Sequence, residues 1–254
     1  MDYKTKSFNS DGVIIAYTDH GNGDPILLLH GFASNFVVNW IETKWISYLL
    51  GENRRVIAID HRGHGCSQKL YDPDSYGAIV MAQDACRLLD HLQIDYADVM
   101  GYSMGARIAA FLTLANPTRI RSVIFGGLGY NMIRGMAGTS LIAQALETRS
   151  IDEVKDSTAR TFRTFAEHTG SDLYALAACI RSSRDPVSRD DISRISCPVL
   201  VAVGTDDTVS GSASGLASLI PNAQSLEIRG RDHMKAVGDH LYKKGVSDFL
   251  AKRA

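Results

Sequence analysis

Residues 101–105 read Gly-Tyr-Ser-Met-Gly, a serine held between two glycines, with the largely apolar run Ala97-Asp98-Val99-Met100 before it and a second apolar run, residues 106–115, after it. A serine placed between glycines where a strand gives way to a helix constrains the chain severely. The backbone must turn so sharply that the serine takes a strained conformation, and a side chain at 101 or 105 would collide with the neighbouring strand or helix. The turn lifts the Ser103 hydroxyl clear of the sheet. It also sets the Met104 amide at a helix N-terminus, where an N–H without an intrahelical acceptor can meet developing negative charge.

The rest of the chain supplies the sheet such a turn requires. Residues 3–8 and 13–18 flank Asn9-Ser10-Asp11-Gly12 and predict a hairpin. Short apolar runs follow at 26–29, 56–59 and 199–203, and largely apolar ones at 97–101 and 122–125, with a weaker one at 223–228. Apolar strands without alternation are buried on both faces, which means a mostly parallel sheet covered by helices. Helical patterns fall between them at 75–93, 104–115 and 239–251. The second is apolar nearly all round, so it is expected at the centre, and Asn116-Pro117 ends it. Between 128 and 196 no strand pattern is found. Ser150-Ile151-Asp152-Glu153 fits a capping box, and residues 172–182 are amphipathic. The expected organisation is a core of residues 1–127 and 196–254 with a helical cap, 128–195, inserted over the C-terminal edge of the sheet, where open α/β sheets bind ligands.

A serine hydroxyl is a weak nucleophile at neutral pH. It needs a histidine base, whose other nitrogen needs a carboxylate. On a strand–turn–helix nucleophile these follow in the chain order serine, acid, histidine. After Ser103, the carboxylates just past a buried strand are Asp206 and Asp207, in Gly204-Thr205-Asp206-Asp207. The spacing from Gly204 favours Asp207. The histidine is His233, in the loop Gly230-Arg231-Asp232-His233 between the last strand and the last helix. His30-Gly31-Phe32 follows the strand at 26–29, and the Phe32 amide is the expected second oxyanion donor beside that of Met104.

Taken together, Leu29-His30-Gly31-Phe32, Asp60-His61-Arg62-Gly63-His64-Gly65-Cys66-Ser67, Gly101-Tyr102-Ser103-Met104-Gly105, Gly204-Thr205-Asp206-Asp207 and His233 resemble the α/β-hydrolase superfamily over nearly the whole length. The resemblance implies an α/β fold with an eight-stranded, mostly parallel sheet flanked by helices, a helical cap, no cofactor, and acyl transfer through a covalent serine ester. Its departures narrow the choice. Ser103 excludes the elbow aspartate of epoxide hydrolases and haloalkane dehalogenases. His30-Gly31-Phe32-Ala33-Ser34 is not the His-Gly-Gly-Pro-Gly of proline iminopeptidases. Tyr102 stands where carbon–carbon bond hydrolases often carry Asn. The leading expectation is a serine hydrolase cleaving a small carboxylic ester, lactone or thioester. A carbon–carbon hydrolase or a perhydrolase/haloperoxidase on the same triad, and a ligand receptor that retains the pocket, are the alternatives.

Other residues read more plainly. His61 and His64, three apart and without a third ligand, do not make a metal site; their loop is expected to shape the pocket floor, and His30 to orient the oxyanion loop. Cys66 is expected to be a small packed thiol. Tyr102, Tyr130 and Met132 are candidates for an acyl pocket. A formal net charge of −1 argues against nucleic acid as a partner, so the expected partner is a small acyl substrate. Four cysteines without a CxxC pair suggest a reducing compartment. The first residues lack an apolar leader core and no run is long enough to span a bilayer, so the chain is expected to be cytoplasmic and without a membrane partner.

Overall fold

The computed structural model describes residues 3–136, 138–182 and 186–253; Met1 and Asp2 of the leader reading and four residues of the expected cap lie outside these. Eight strands form one sheet: β1 (Lys6–Ser10), β2 (Val13–His20), β3 (Asp24–Leu29), β4 (Arg54–Ile59), β5 (Ala97–Tyr102), β6 (Ile120–Gly126), β7 (Val199–Gly204) and β8 (Ala223–Ile228). Their spatial order is β1-β2-β4-β3-β5-β6-β7-β8. The β1–β2 and β2–β4 pairs are antiparallel, and every other pair is parallel. The helices are α1 (Trp45–Gly51), α2 (Ala78–His91), α3 (Met104–Ala115), α4 (Thr139–Glu147), α5 (Ser157–His168), α6 (Leu173–Arg181), α7 (Arg189–Ser193), α8 (Ala213–Ala217), α9 (His233–Ala236) and α10 (His240–Lys252).

Alternation along the strands builds two cores from one sheet. Leu27, Leu29, Ile57, Val99, Val123 and Val201 point to the face covered by α2, α3 and α8. Ile26, Leu28, Val56, Ala58, Met100, Ile124 and Leu200 point to the face covered by α1 and α10, where Trp40, Trp45 and Tyr242 are fully buried. Each fully buried aliphatic side chain contributes about 1.5–3 kcal/mol, so the parallel strands are held mainly by being apolar on both sides. The parallel register pairs Leu29 with Gly101, Gly101 with Phe125, and Phe125 with Val201. Four strands therefore end side by side, and the loops that leave them share one edge.

Two local expectations are corrected. The first strand runs Lys6–Ser10, not 3–8: Asn9 and Ser10 pair with Ile14 and Val13, leaving a two-residue turn of Asp11 and Gly12 at φ 54° and 87°. Two left-handed residues match the twist of a hairpin, and the Ser10 hydroxyl donates to buried Asp84 at 2.6 Å. The Ser150 box caps only the single 3-10 turn Ile151–Glu153, its hydroxyl accepting from the Asp152 amide at 3.3 Å. The helix begins afresh at Ser157, where Asp156 accepts from the Ala159 amide at 2.8 Å.

Among the described residues, 128–195 hold helices and no strand. They are joined to one another and to the core by polar ties. Buried Arg163 of α5 donates from Nη1 to the carbonyls of Ala145, Leu146 and Thr148 at 2.9, 2.7 and 3.0 Å, filling the open C-terminal end of α4. Thr169 Oγ1 donates to the Ala33 carbonyl at 2.9 Å, and Tyr71 donates to Asp172 at 3.0 Å. Among the described residues no helix is long and apolar enough to cross a membrane.

Candidate active site

Ser103 sits at the junction of β5 and α3 with φ 54° and ψ −113°, a conformation that costs of order 1–3 kcal/mol for a residue with a side chain. The flanking glycines make it accessible. A Cβ at Gly101 would overlap the Gly105 carbonyl, and one at Gly105 would overlap the Leu29 carbonyl. The chain can approach itself this closely only without those carbons, and the strain lifts the hydroxyl above the sheet edge.

Asp207 follows β7 and His233 opens α9. His233 Nδ1 lies 2.8 Å from Asp207 Oδ2, and its Nε2 lies 3.1 Å from Ser103 Oγ. An ionised carboxylate only accepts, so Nδ1 carries the proton and Nε2 is left to accept from the serine. The Asp207 side chain is fully shielded while that of His233 is 17% exposed, which leaves the imidazole open to a ligand and its partner closed to water. Burial alone would raise the Asp207 carboxyl. The hydrogen bond and charge of His233, then the Ser210 hydroxyl and the Val209 amide, outweigh it and hold the group below its usual range. Asp206, its rival in the sequence, is exposed and accepts from the Thr205 hydroxyl at 3.0 Å.

The loop after β3 passes over the serine. A Cβ on Gly31 would stand 3.5 Å from Ser103 Cβ, so the backbone here runs within van der Waals reach of the serine side chain. The Gly31 amide donates to Asn39 Oδ1 at 3.1 Å. His30 accepts the His61 amide on Nε2 at 3.0 Å and donates from Nδ1 to the Gly31 carbonyl at 2.7 Å. Phe32 therefore follows Gly31 on a loop fixed from behind, its ring edge-on to Phe162 of α5 at 5.9 Å. Met104, the first residue of α3, has an amide with no intrahelical acceptor, at the positive end of a 12-residue helix.

The loop 60–67 braces this arrangement. Buried Asp60 accepts the Phe36 and Cys66 amides, each at 2.7 Å, and burial pushes its carboxyl up to about 6. His30, His61 and His64 are all fully buried, with ring centroids 4.5 and 5.2 Å from His30. Burial drives the His30 imidazole down to about 4 and His61 well below its ordinary value. Among the described residues, no group of three His, Cys, Asp or Glu side chains could hold a metal ion. Cys66 is exposed, not packed: its amide turns inward to Asp60, and that leaves the thiol outside.

The tentative pocket residues divide. Tyr102 faces the opposite core, its ring against Gly127 and Tyr242, and its hydroxyl donates to the His233 carbonyl at 2.6 Å. The alternation of β5 turns it away from the edge that bears Ser103, so it supports the histidine from below. Met132 is fully buried, and its carbonyl accepts from Arg107 at 2.8 Å. Tyr130 is half-buried; its hydroxyl meets Arg189, and its ring lies 4.9 Å beneath the Arg134 guanidinium. Asn39 and Ser210 escaped the sequence reading. The only available signal for Ser210 was its position three residues after Asp207.

A family model described as the α/β hydrolase fold matches residues 24–136. The chain is 27% identical to 3-oxoadipate enol-lactonase 2 of Acinetobacter baylyi over 82% of each chain. It is 35% identical to 2-hydroxymuconate semialdehyde hydrolase of Pseudomonas sp. (strain CF600), over 43% of this chain and 38% of that protein. The crystal structure of the enol-lactonase from Burkholderia xenovorans LB400 superposes with a TM-score of 0.80 at 21% identity, over 97% of this chain and 100% of that one.

Proposed function

Because the chain belongs to the α/β-hydrolase superfamily, we propose that it is a serine hydrolase that opens a small carboxylic ester or lactone through an acyl-enzyme on Ser103. The observation that carries the reading is the continuous path from Asp207 Oδ2 to His233 Nδ1 at 2.8 Å and from His233 Nε2 to Ser103 Oγ at 3.1 Å. The likeness to an enol-lactonase along 82% of both chains supports an ester or lactone carbonyl as the target.

His233 Nε2 takes the Ser103 proton as Oγ adds to the carbonyl carbon. The imidazolium is stabilised by Asp207, and the Phe32 and Met104 amides hold the oxyanion. Collapse breaks the bond to the leaving oxygen, which receives the proton from His233 Nε2. Water then gives a proton to His233 and adds to the acyl carbon. The second collapse returns the proton to Ser103 and frees the acid. Losing one oxyanion donor typically costs about 2.7–4 kcal/mol of barrier, roughly a hundred- to a thousandfold in rate, so the placement of the loop after β3 matters to the rate, though less than the triad itself.

The test is a panel of p-nitrophenyl esters of graded chain length run beside lactones and thioesters, with mass spectrometry after treatment with a serine-directed fluorophosphonate. A single adduct on Ser103 with ester or lactone turnover is the expected result. No adduct overturns the reading in favour of a receptor. An adduct with halide-dependent peroxidation but no acyl turnover overturns it in favour of the peroxidase chemistry.

A further inference from the structure

Ser210 is fully buried at the start of the loop between Asp207 and α8, and its hydroxyl oxygen touches three groups. It lies 2.6 Å from the Gly127 carbonyl, 2.6 Å from Asp207 Oδ2 and 3.2 Å from His233 Nδ1. Its amide also donates to Asp207 Oδ1 at 3.0 Å, beside that of Val209 at 2.8 Å. Resting on the triad reading above, we propose that Ser210 is a positioning residue: a fourth group that ties the Asp207–His233 pair to the end of β6 and sets the pH at which His233 becomes a competent base.

The argument is one of proton counting. A hydroxyl has one proton, and both the Gly127 carbonyl and the carboxylate only accept. When the proton points at Asp207 Oδ2, that oxygen is served by two donors, His233 and Ser210. Its charge is then shared, and its pull on the imidazolium is weaker. When the proton points at Gly127, the serine oxygen turns a lone pair towards His233 Nδ1–H. In the first setting the hydroxyl holds the carboxylate and in the second it holds the imidazole, from a place beside both, and neither setting exists without the hydroxyl. The other polar and charged groups near His233 are Ser103 and Tyr102 from the β5–α3 junction, and Asp232 and Lys235 from its own segment. Asp232 is spent on the Met234 and Lys235 amides, at 3.1 and 2.8 Å. Among these side chains, the one that reaches both members of the pair is Ser210.

The experiment is the rate of Ser103 phosphonylation by a fluorophosphonate, from pH 5 to 9, in the intact protein and in Ser210→Ala and Ser210→Thr, with Ser103→Ala as blank. Labelling of the unaltered protein at Ser103 is required by the triad reading, and its absence sinks that reading before Ser210 is at issue. Given labelling, Ser210→Ala is expected to react on the order of tenfold more slowly at its plateau. Its acid limb should move to higher pH, because an Asp207 relieved of one donor binds the imidazolium more tightly. Ser210→Thr, which keeps the hydroxyl, should restore the limb. An alanine variant with an unmoved limb, whether fast or slow, overturns the proposal. Should Ser210→Thr not fold, Ser210→Ala alone decides through its limb, read on protein whose melting transition stays cooperative.

Discussion

Two groups of histidines stand at the same edge of the sheet, and they are opposites. His233 has both ring nitrogens partnered, a carboxylate on one and a hydroxyl on the other, and part of its side chain is open. His30, His61 and His64 are sealed, and neither ring nitrogen of His61 has a hydrogen-bond partner among the described residues. An imidazole that must gain and lose a proton needs a fixed charge behind it and access in front. One that must hold a loop needs neither, and burial keeps it neutral. Closeness to Ser103 does not separate these roles; the surroundings of the ring do.

The sharpest way to break this comparison is to remove what His233 acts on. Ser103→Ala should reduce p-nitrophenyl butyrate turnover on the order of 10⁶-fold, the scale seen when a serine nucleophile is deleted, with the melting temperature unchanged. Retained turnover would mean that the open histidine serves some other group. Next in size, Asp207→Asn should cost about 10⁴-fold in kcat by presenting the wrong partner to Nδ1. Full activity in that variant would show that the carboxylate does not distinguish the two groups.

The sealed group should report through stability instead. His30 titrates near 4 in the fold against an ordinary 6.5. As the pH falls from 6.5 towards 4 the unfolded chain takes up a proton that the native state refuses, and about 3 kcal/mol of stability present above that window is lost. Asp60 runs the other way: its native value of about 6 against 3.8 lets the fold hold a proton across much of the same range, returning about as much. His61, lowered well below its ordinary value, tips the sum towards acid loss. The melting temperature should therefore fall between pH 6.5 and 4, and His61→Leu should flatten that fall while esterase activity at pH 8 persists. An unchanged slope would show that the sealed rings do not titrate against folding. The smallest effect is expected from Asp206→Asn, within about twofold in kcat, as for an exposed residue outside a shared network; a loss rivalling that of Asp207→Asn would reverse the acid assignment.

What the sequence made legible follows from how local each signal is. The strands at 26–29, 56–59 and 199–203 are apolar on both faces, and that pattern survives any tertiary context. The elbow was legible because two glycines and a serine in five residues meet a requirement of the backbone itself. Tyr102 was misplaced because it is still part of β5 and, two residues after Met100, shares the face of the sheet that α1 and α10 cover. Ser150 satisfied a capping pattern, but Asp156, six residues on, begins the helix that packs on α4. Ser210 was hard to see because, beyond Asp207 in its own loop, its partners Gly127 and His233 come from the end of β6 and the start of α9, and no pattern within one segment encodes their meeting.

The hydroxyl of Thr169, beyond the end of α5, is bonded to the carbonyl of Ala33, a residue at φ 58° immediately after Phe32. The roof of the molecule thus grips the strap that carries one of the two amides proposed to hold the oxyanion. Trimming the inserted helices to admit bulkier compounds would not simply widen the doorway. It would also slacken the hinge post on which the polar cradle is hung, so that broader access would come with a blunter reaction.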